Sequence, residues 1–141
     1  MGKINYGRVV LGGLLAGVII TAGEYLLNEV VLAEDMVAVM TNLGLSVPGG
    51  QQIAGFVIMT FVLGIALVWI YAAIRPRFGA GVKTAIIAGA VAWLIGLCLP
   101  TTGFTIMGVY PTHLAITGCL WGLAEYLIAT VAGAWVYKES A

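Results

Sequence analysis

Charged side chains are scarce in this chain. Of its 141 residues only 9% are charged, six basic and six acidic, so the formal net charge is zero. Soluble domains carry about 25% charged residues. The polar surface is too small to cover a domain of this length in water, so the lipid bilayer is the expected solvent. With no net charge and only small basic clusters, nucleic acid is not an expected partner.

Residues that build catalytic or metal centres are also few. The chain has one histidine, His113, and two cysteines, Cys98 and Cys119. It has no C-x-x-C, H-E-x-x-H or G-x-S-x-G motif and no phosphate-binding glycine loop. An interfacial role suits His113 better than a ligand role, and two buried thiols fit the cysteines better than a disulfide. We therefore expect no enzymatic activity, no cofactor and no metal.

Long apolar runs occupy most of the sequence, at residues 9–32, 53–74, 84–99 and 114–137. About 20 helical residues cross the roughly 30 Å of bilayer hydrocarbon. Backbone groups in lipid must bond within their own segment, which makes each run a helix. The sequence predicts an all-α membrane protein with a single integral membrane domain, residues 1–141. Its four transmembrane helices, about 8–32, 53–74, 82–99 and 114–137, would form an antiparallel bundle.

The basic residues predict the orientation of this bundle. With four spans, all of them fall on one side of the membrane: Lys3, Arg8, Arg75, Arg77, Lys83 and Lys138. Positive charge stays cytoplasmic, so both termini are predicted to face inward. The expected location is the bacterial inner membrane.

Two connections on the outer side are long enough to have structure of their own. In residues 33–52, the spacing of Met36, Val39 and Met40 fits a short helix lying on the membrane surface. A simple extension of the first helix fits equally well. The second connection lies between Pro100 and Pro111 and is expected to pack as a loop over the outer mouth of the bundle.

Small residues recur at helical spacing on three of the four predicted helices. Such faces let membrane helices approach closely. The predicted packing residues are Gly13 and Gly17 on the first helix, Ala85, Ala88, Ala92 and Gly96 on the third, and Gly118, Gly122 and Ala129 on the fourth. Glu24 and Glu125 share two of these faces, so both are expected to face protein rather than lipid.

Each of these glutamates lies inside an apolar run, in "TAGEYLLNE" and in "WGLAEYLIA". Counted from the inner boundary they lie at about 24 Å and about 20 Å, within one helical turn of each other. Two carboxyl groups close together in low dielectric cannot both stay ionised, so at least one would hold its proton. The predicted proton or ligand site comprises Glu24, Glu125, Asn28, Thr21, Tyr25 and Tyr126.

In outline the chain resembles the small multidrug resistance transporters, which are also small, four-span proteins with a glutamate in the first helix. It departs from them in its long first outer loop, in the late position of Glu24 and in the second glutamate, Glu125. The opening "INYGRVVLGGLLAGVIITAGEYLLN" is similar to small bacterial four-helix membrane proteins, a likeness that implies no activity. Neither resemblance assigns a functional residue.

Two functions fit these features. The first is a structural or accessory subunit that docks through its small-residue faces onto other integral membrane subunits of a respiratory or photosynthetic complex. The alternative is a homodimeric proton-coupled transporter or channel that uses Glu24 and Glu125. A bound lipid, quinone or pigment stays open in either case.

Overall fold

The computed structural model describes residues 3–139 of the chain. Within them, four helices are long and apolar enough to cross a membrane. They are α1 (Tyr6–Val31), α3 (Gly50–Phe78), α4 (Val82–Ile106) and α5 (Thr112–Val136), and a short helix, α2 (Ala33–Asn42), follows α1. The prediction of an all-helical protein with four membrane-length helices is confirmed.

The first connection contains a short helix of its own, which contradicts a simple extension of the first helix. α1 finishes with a π-helical turn, Leu27–Val31, and the backbone bends at Leu32 before α2 begins. Val39 of α2 is buried against Leu114, and Met36 packs beside them. α2 is therefore a separate helix, attached where α1 ends and α5 begins. We call this end of the bundle the α2 end.

α4 is longer than predicted. The expected boundary was Pro100, because proline lacks a backbone donor and clashes with the carbonyl group four residues earlier. A π-helical turn, Leu94–Cys98, precedes Pro100, and the proline lies in the first turn of the α-helical segment that follows. The wider π turn changes the hydrogen-bond pattern where the proline would interfere. The predicted loop over the mouth is therefore wrong for most of its length, since helix continues to Ile106.

A glycine turn joins α3 to α4. Gly79 and Gly81 have φ values of 85° and 124°, which side chains with a Cβ rarely adopt. The turn is held from both helices. Tyr71 Oη accepts a hydrogen bond from the Gly81 N–H at 3.1 Å, and Thr84 Oγ1 donates to the Gly79 carbonyl at 2.7 Å.

Backbone contacts between glycines position α1 against its neighbours. α1 packs most extensively against α3 and also against α5, while α4 packs mainly against α5. A Cβ on Gly12 would collide with the Gly133 carbonyl group, and one on Gly64 would collide with the backbone of Gly13 and Gly17. α1 and α4 make little contact with each other.

Most of the predicted packing residues lie inside the bundle. Seven of the nine contact neighbouring helices or the core: Gly13, Gly17, Ala85, Ala88, Ala92, Gly122 and Ala129. Gly96 and Gly118 differ. Gly96 is exposed and has only the Tyr126 hydroxyl group nearby, and nothing lies within 4 Å of where a Cβ of Gly118 would be. The helices thus use almost all of their small-residue faces on one another.

The first third of α3 makes little contact with the rest of the bundle. Nearly all of residues 50–59 are exposed, and the first strong link to α1 is at Thr60. The hydroxyl groups of Thr60 and Thr21 hydrogen-bond at 2.6 Å. Near the α2 end, the bundle therefore consists mainly of α1, α4 and α5.

Gly64→Ala tests the glycine contact between α1 and α3. The added methyl group meets backbone, which cannot rotate away, so the free energy of unfolding should fall by about 1–3 kcal/mol, as in other overpacked sites. Unfolding of the detergent-solubilised chain by a denaturing detergent measures it. Gly55→Ala, on the same helix with nothing within 4 Å, is the matched control and should be neutral. Equal stability of both variants would contradict the contact.

Candidate functional site

A cleft of about 260 Å³ lies at the α2 end, between α1, α4 and the start of α5. It exists because α1 and α4 make little contact there. Polar lining comes from Glu24, Asn28, Thr101 and Tyr110, and apolar lining from Leu27, Leu97 and Phe104, with Gly118 completing the wall. We call this space the Glu24 cleft.

Glu24 is held in the cleft wall by Asn28, one helical turn further along α1. Asn28 Nδ2 donates one hydrogen bond to Glu24 Oε2 and one to the Glu24 carbonyl group, each at 2.9 Å. Asn28 lies within the π-helical turn, Leu27–Val31, that ends α1. Both amide protons of Asn28 are thereby used. Glu24 and Asn28 both line the cleft, so their side-chain oxygens can accept hydrogen bonds from a ligand there.

Glu125 lies directly behind this wall, on α5. The residue is 5% exposed, and its carboxyl group rests on the α-carbon of Gly23, where any Cβ would collide with Oε2. Glu24 and Trp121 lie near enough to hydrogen-bond with it. In the described part of the chain, neither carboxyl oxygen makes a hydrogen bond of regular geometry. Leaving a buried polar group unpaired costs about 1–3 kcal/mol, so this carboxyl group requires an explanation.

The other three predicted site residues lie in different surroundings. Thr21 Oγ1 donates to the Gly17 carbonyl at 2.8 Å and bonds to Thr60, so it links α1 to α3. Tyr25 is 64% exposed on the outer surface of the bundle and does not line the cleft. Tyr126 is buried between α5 and α4, beside Gly96, and lies near both glutamates but does not line the cleft. Of the six predicted residues, the cleft and its rear wall bring together Glu24, Asn28 and Glu125.

Sequence reasoning missed several members of the site. Thr101 and Phe104 were assigned to a loop because Pro100 was taken as the end of a helix. With Leu97 they form a row at spacings of four and three, which is a helical signal once the helix continues. Gly23 could have been noticed as a small residue next to Glu24. Nothing in the sequence alone pairs it with Glu125.

Tyr110 connects the cleft to α2. Its hydroxyl group donates to Met36 Sδ at 3.7 Å, and its ring packs with the Leu114 cluster. Burial, and next the Glu24 and Cys119 side chains, raise the pKa of Tyr110. The hydroxyl group therefore stays protonated at neutral pH and remains a hydrogen-bond donor.

His113 and the cysteines lie outside the cleft lining. His113 Nε2 is 3.6 Å from Asp35 Oδ1 on the exposed side of α2, and Cys98 and Cys119 are free and half-buried. Among residues 3–139, no three His, Cys, Asp or Glu side chains are grouped as a metal site would need.

Comparisons with known proteins do not assign the chain. No protein-family model, curated protein or solved structure matches it. Any function must therefore be argued from the Glu24 cleft and the two carboxyl groups.

Glu125→Met tests whether this carboxyl group contributes to stability. Methionine has a similar shape and removes two unpaired polar atoms, so the free energy of unfolding should stay the same or rise by about 1–3 kcal/mol. Denaturing-detergent unfolding of parent and variant measures the change. Asn28→Ala is the contrast, because it leaves Glu24 without its amide donor and should destabilise. A clear loss of stability in Glu125→Met would show that the carboxyl group holds the fold together.

Proposed function

We propose that the chain is a small proton-coupled membrane transporter or channel in which Glu24 and Glu125 bind and release protons. One observation carries the proposal: the buried carboxyl group of Glu125, which makes no hydrogen bond of regular geometry within residues 3–139, lies behind a second carboxyl group that lines an open cleft. A side chain that served only helix packing would be apolar or hydrogen-bonded. Ionisable groups inside membrane helices are functional candidates by default.

The surroundings of the pair favour proton chemistry. The cleft lining contains no Lys, Arg or His that could act as a counter-ion. Two neighbouring carboxyl groups repel each other when both are ionised, so the pair is expected to keep at least one proton. Glu24 exchanges that proton with the cleft, and Glu125 lies one layer deeper. Binding of any ligand that changes the charge of the cleft would then change the proton affinity of the pair.

We further propose that the four spans form an antiparallel bundle in a bacterial inner membrane, with both termini cytoplasmic. Gly12, early in α1, contacts Gly133, late in α5, whereas Gly23, late in α1, contacts Glu125, earlier in α5. These contacts support opposite directions for the two helices. The basic residues support the orientation, because they lie at the end of the bundle remote from the cleft. The Glu24 cleft would then open toward the outer face.

Reporter fusions test this orientation. A fluorescent protein that matures only in the cytoplasm should be bright at either terminus. An alkaline phosphatase that folds only outside should be active after residue 45 and inactive after residue 80. Phosphatase activity at a terminus would contradict the proposal, and the Glu24 cleft would then face the cytoplasm.

An accessory subunit of a larger complex is the second candidate. This candidate requires small-residue helix faces that are free to bind partner subunits. In the structure, however, those faces lie almost entirely inside the bundle. What still favours it is the exposed stretch of α3, residues 50–59. Another integral membrane subunit, or a second copy in a homo-oligomer, could pack there.

Proton flux into proteoliposomes tests the first candidate. With a pH gradient and an internal pH dye, the parent chain should equilibrate the two sides faster than empty vesicles. Glu24→Gln and Glu125→Gln should each reduce that rate by roughly tenfold or more, as loss of a proton-transfer group does. Glu29→Gln is the matched control, since Glu29 is exposed and does not line the cleft.

The outcomes separate the candidates. Flux that is equal in the parent and in both glutamine variants contradicts a role for the pair. Absence of flux in the parent, together with further membrane chains in the gently extracted native particle, would replace the transporter with the accessory subunit.

A further inference from the structure

We infer that the Glu24 cleft binds a protonated primary amine that carries a small apolar group. The inference rests on the proposed function, because the same carboxyl pair would hold either the proton or the ammonium group. It is drawn from the hydrogen-bonding atoms, the charges and the volume of the cleft.

Glu24, Asn28 and Tyr110 form a polar corner of the cleft that offers hydrogen-bond acceptors. Glu24 and Asn28 line the cleft with carboxylate and amide oxygens, and both amide protons of Asn28 are already used. The Tyr110 hydroxyl proton is directed to Met36 Sδ. A primary ammonium group has three N–H donors and no acceptor, so it complements this corner. Hydrogen bonds from a charged donor to a carboxylate are about twice as strong as neutral ones.

The charges of the site favour the same ligand. Glu24 and Glu125 are the ionisable carboxyl groups at the cleft, and its lining has no basic side chain. The carboxyl pair would repel an anion. A cation can neutralise the pair in place of a bound proton. When the amine enters, its positive charge makes ionisation of the pair favourable, and a proton leaves. Amine binding should therefore release protons.

The remaining walls take an apolar group of limited size. Leu27, Leu97 and Phe104 line the cleft beside the polar corner. A protein cavity of about 150 Å³ holds a benzene molecule. A cleft of about 260 Å³ therefore has room for a phenyl ring and a short linker to the ammonium group. 2-Phenylethylamine fits this description and serves as the probe.

The number of N–H donors gives the sharpest test. The trimethylammonium analogue of the probe keeps the charge and the ring but has no N–H group, so both acceptors would stay unpaired. 2-Phenylethanol keeps the ring and loses the charge. Leaving polar partners unpaired in a desolvated site costs affinity. We expect both analogues to bind roughly tenfold more weakly or worse than the primary amine.

Isothermal titration calorimetry of the full chain in detergent measures this. Between about pH 6 and about pH 8 an alkylamine stays protonated, so any pH dependence comes from the protein. Affinity for the amine should rise with pH, and titrations in buffers of different ionisation enthalpy should report proton release. Glu24→Gln should abolish this release, and Asn28→Ala should reduce the preference for the primary amine. Phe104→Ala should weaken binding of all three probes alike, and Glu29→Gln should behave as the parent does.

Equal affinity for the three probes, or binding without proton release, would overturn the inference. Its failure is distinguishable from failure of the proposed function. Proton flux in vesicles without amine binding would remove the ligand class and leave the transporter. Selective amine binding with proton release, but without flux, would support the site and remove the transporter.

Discussion

The close approach of α1 to its neighbours through glycine is the constraint on which the rest of the structure depends. Lipid provides no hydrophobic force between helices, so helix association relies on direct packing of backbones and small side chains. Gly12 and Gly64 provide that packing toward α5 and α3. Further along α1, Gly23 gives the same free space, but the group that fills it is the carboxyl group of Glu125. The contact that joins the helices thus also creates the buried carboxyl site.

The two π-helical turns explain why a cleft lies beside this contact. They occur in α1 and α4, at Leu27–Val31 and Leu94–Cys98, and residues of both helices line the space. A π turn inserts one residue and so rotates everything after it by about 100° relative to a regular α-helix. In α4 this changes which side chains face the interior, and Thr101 and Phe104 come to line the cleft. π turns are frequent at functional sites because they reposition side chains without ending the helix.

Composition and run length were enough to predict four membrane-length helices, since the scarcity of charge leaves no other solvent for the chain. Helical spacing predicted inward positions for both glutamates; Glu125 is buried, and Glu24 lines the cleft. The continuation of α4 through Pro100 could not be predicted, because a regular helical period has no place for the inserted residue of a π turn. The position of Tyr25 could not be predicted either. Tyr25 is less than one helical turn from Asn28 along α1 and yet lies on the outer surface. Both depend on which helices are neighbours.

The absence of a partner for Glu125 within the described chain separates a structural role from a functional one. A carboxyl group that tied helices together would donate or accept a hydrogen bond across the interface, as Thr21 and Thr60 do between α1 and α3. An apolar side chain against Gly23 would pack equally well without desolvating polar atoms. A proton shared with Glu24, or a group that enters from the cleft, would satisfy this carboxyl group. Glu24, fixed by Asn28 at the cleft wall, lies between Glu125 and the cleft. In the proposed function, a proton that reaches Glu125 from the cleft therefore passes Glu24.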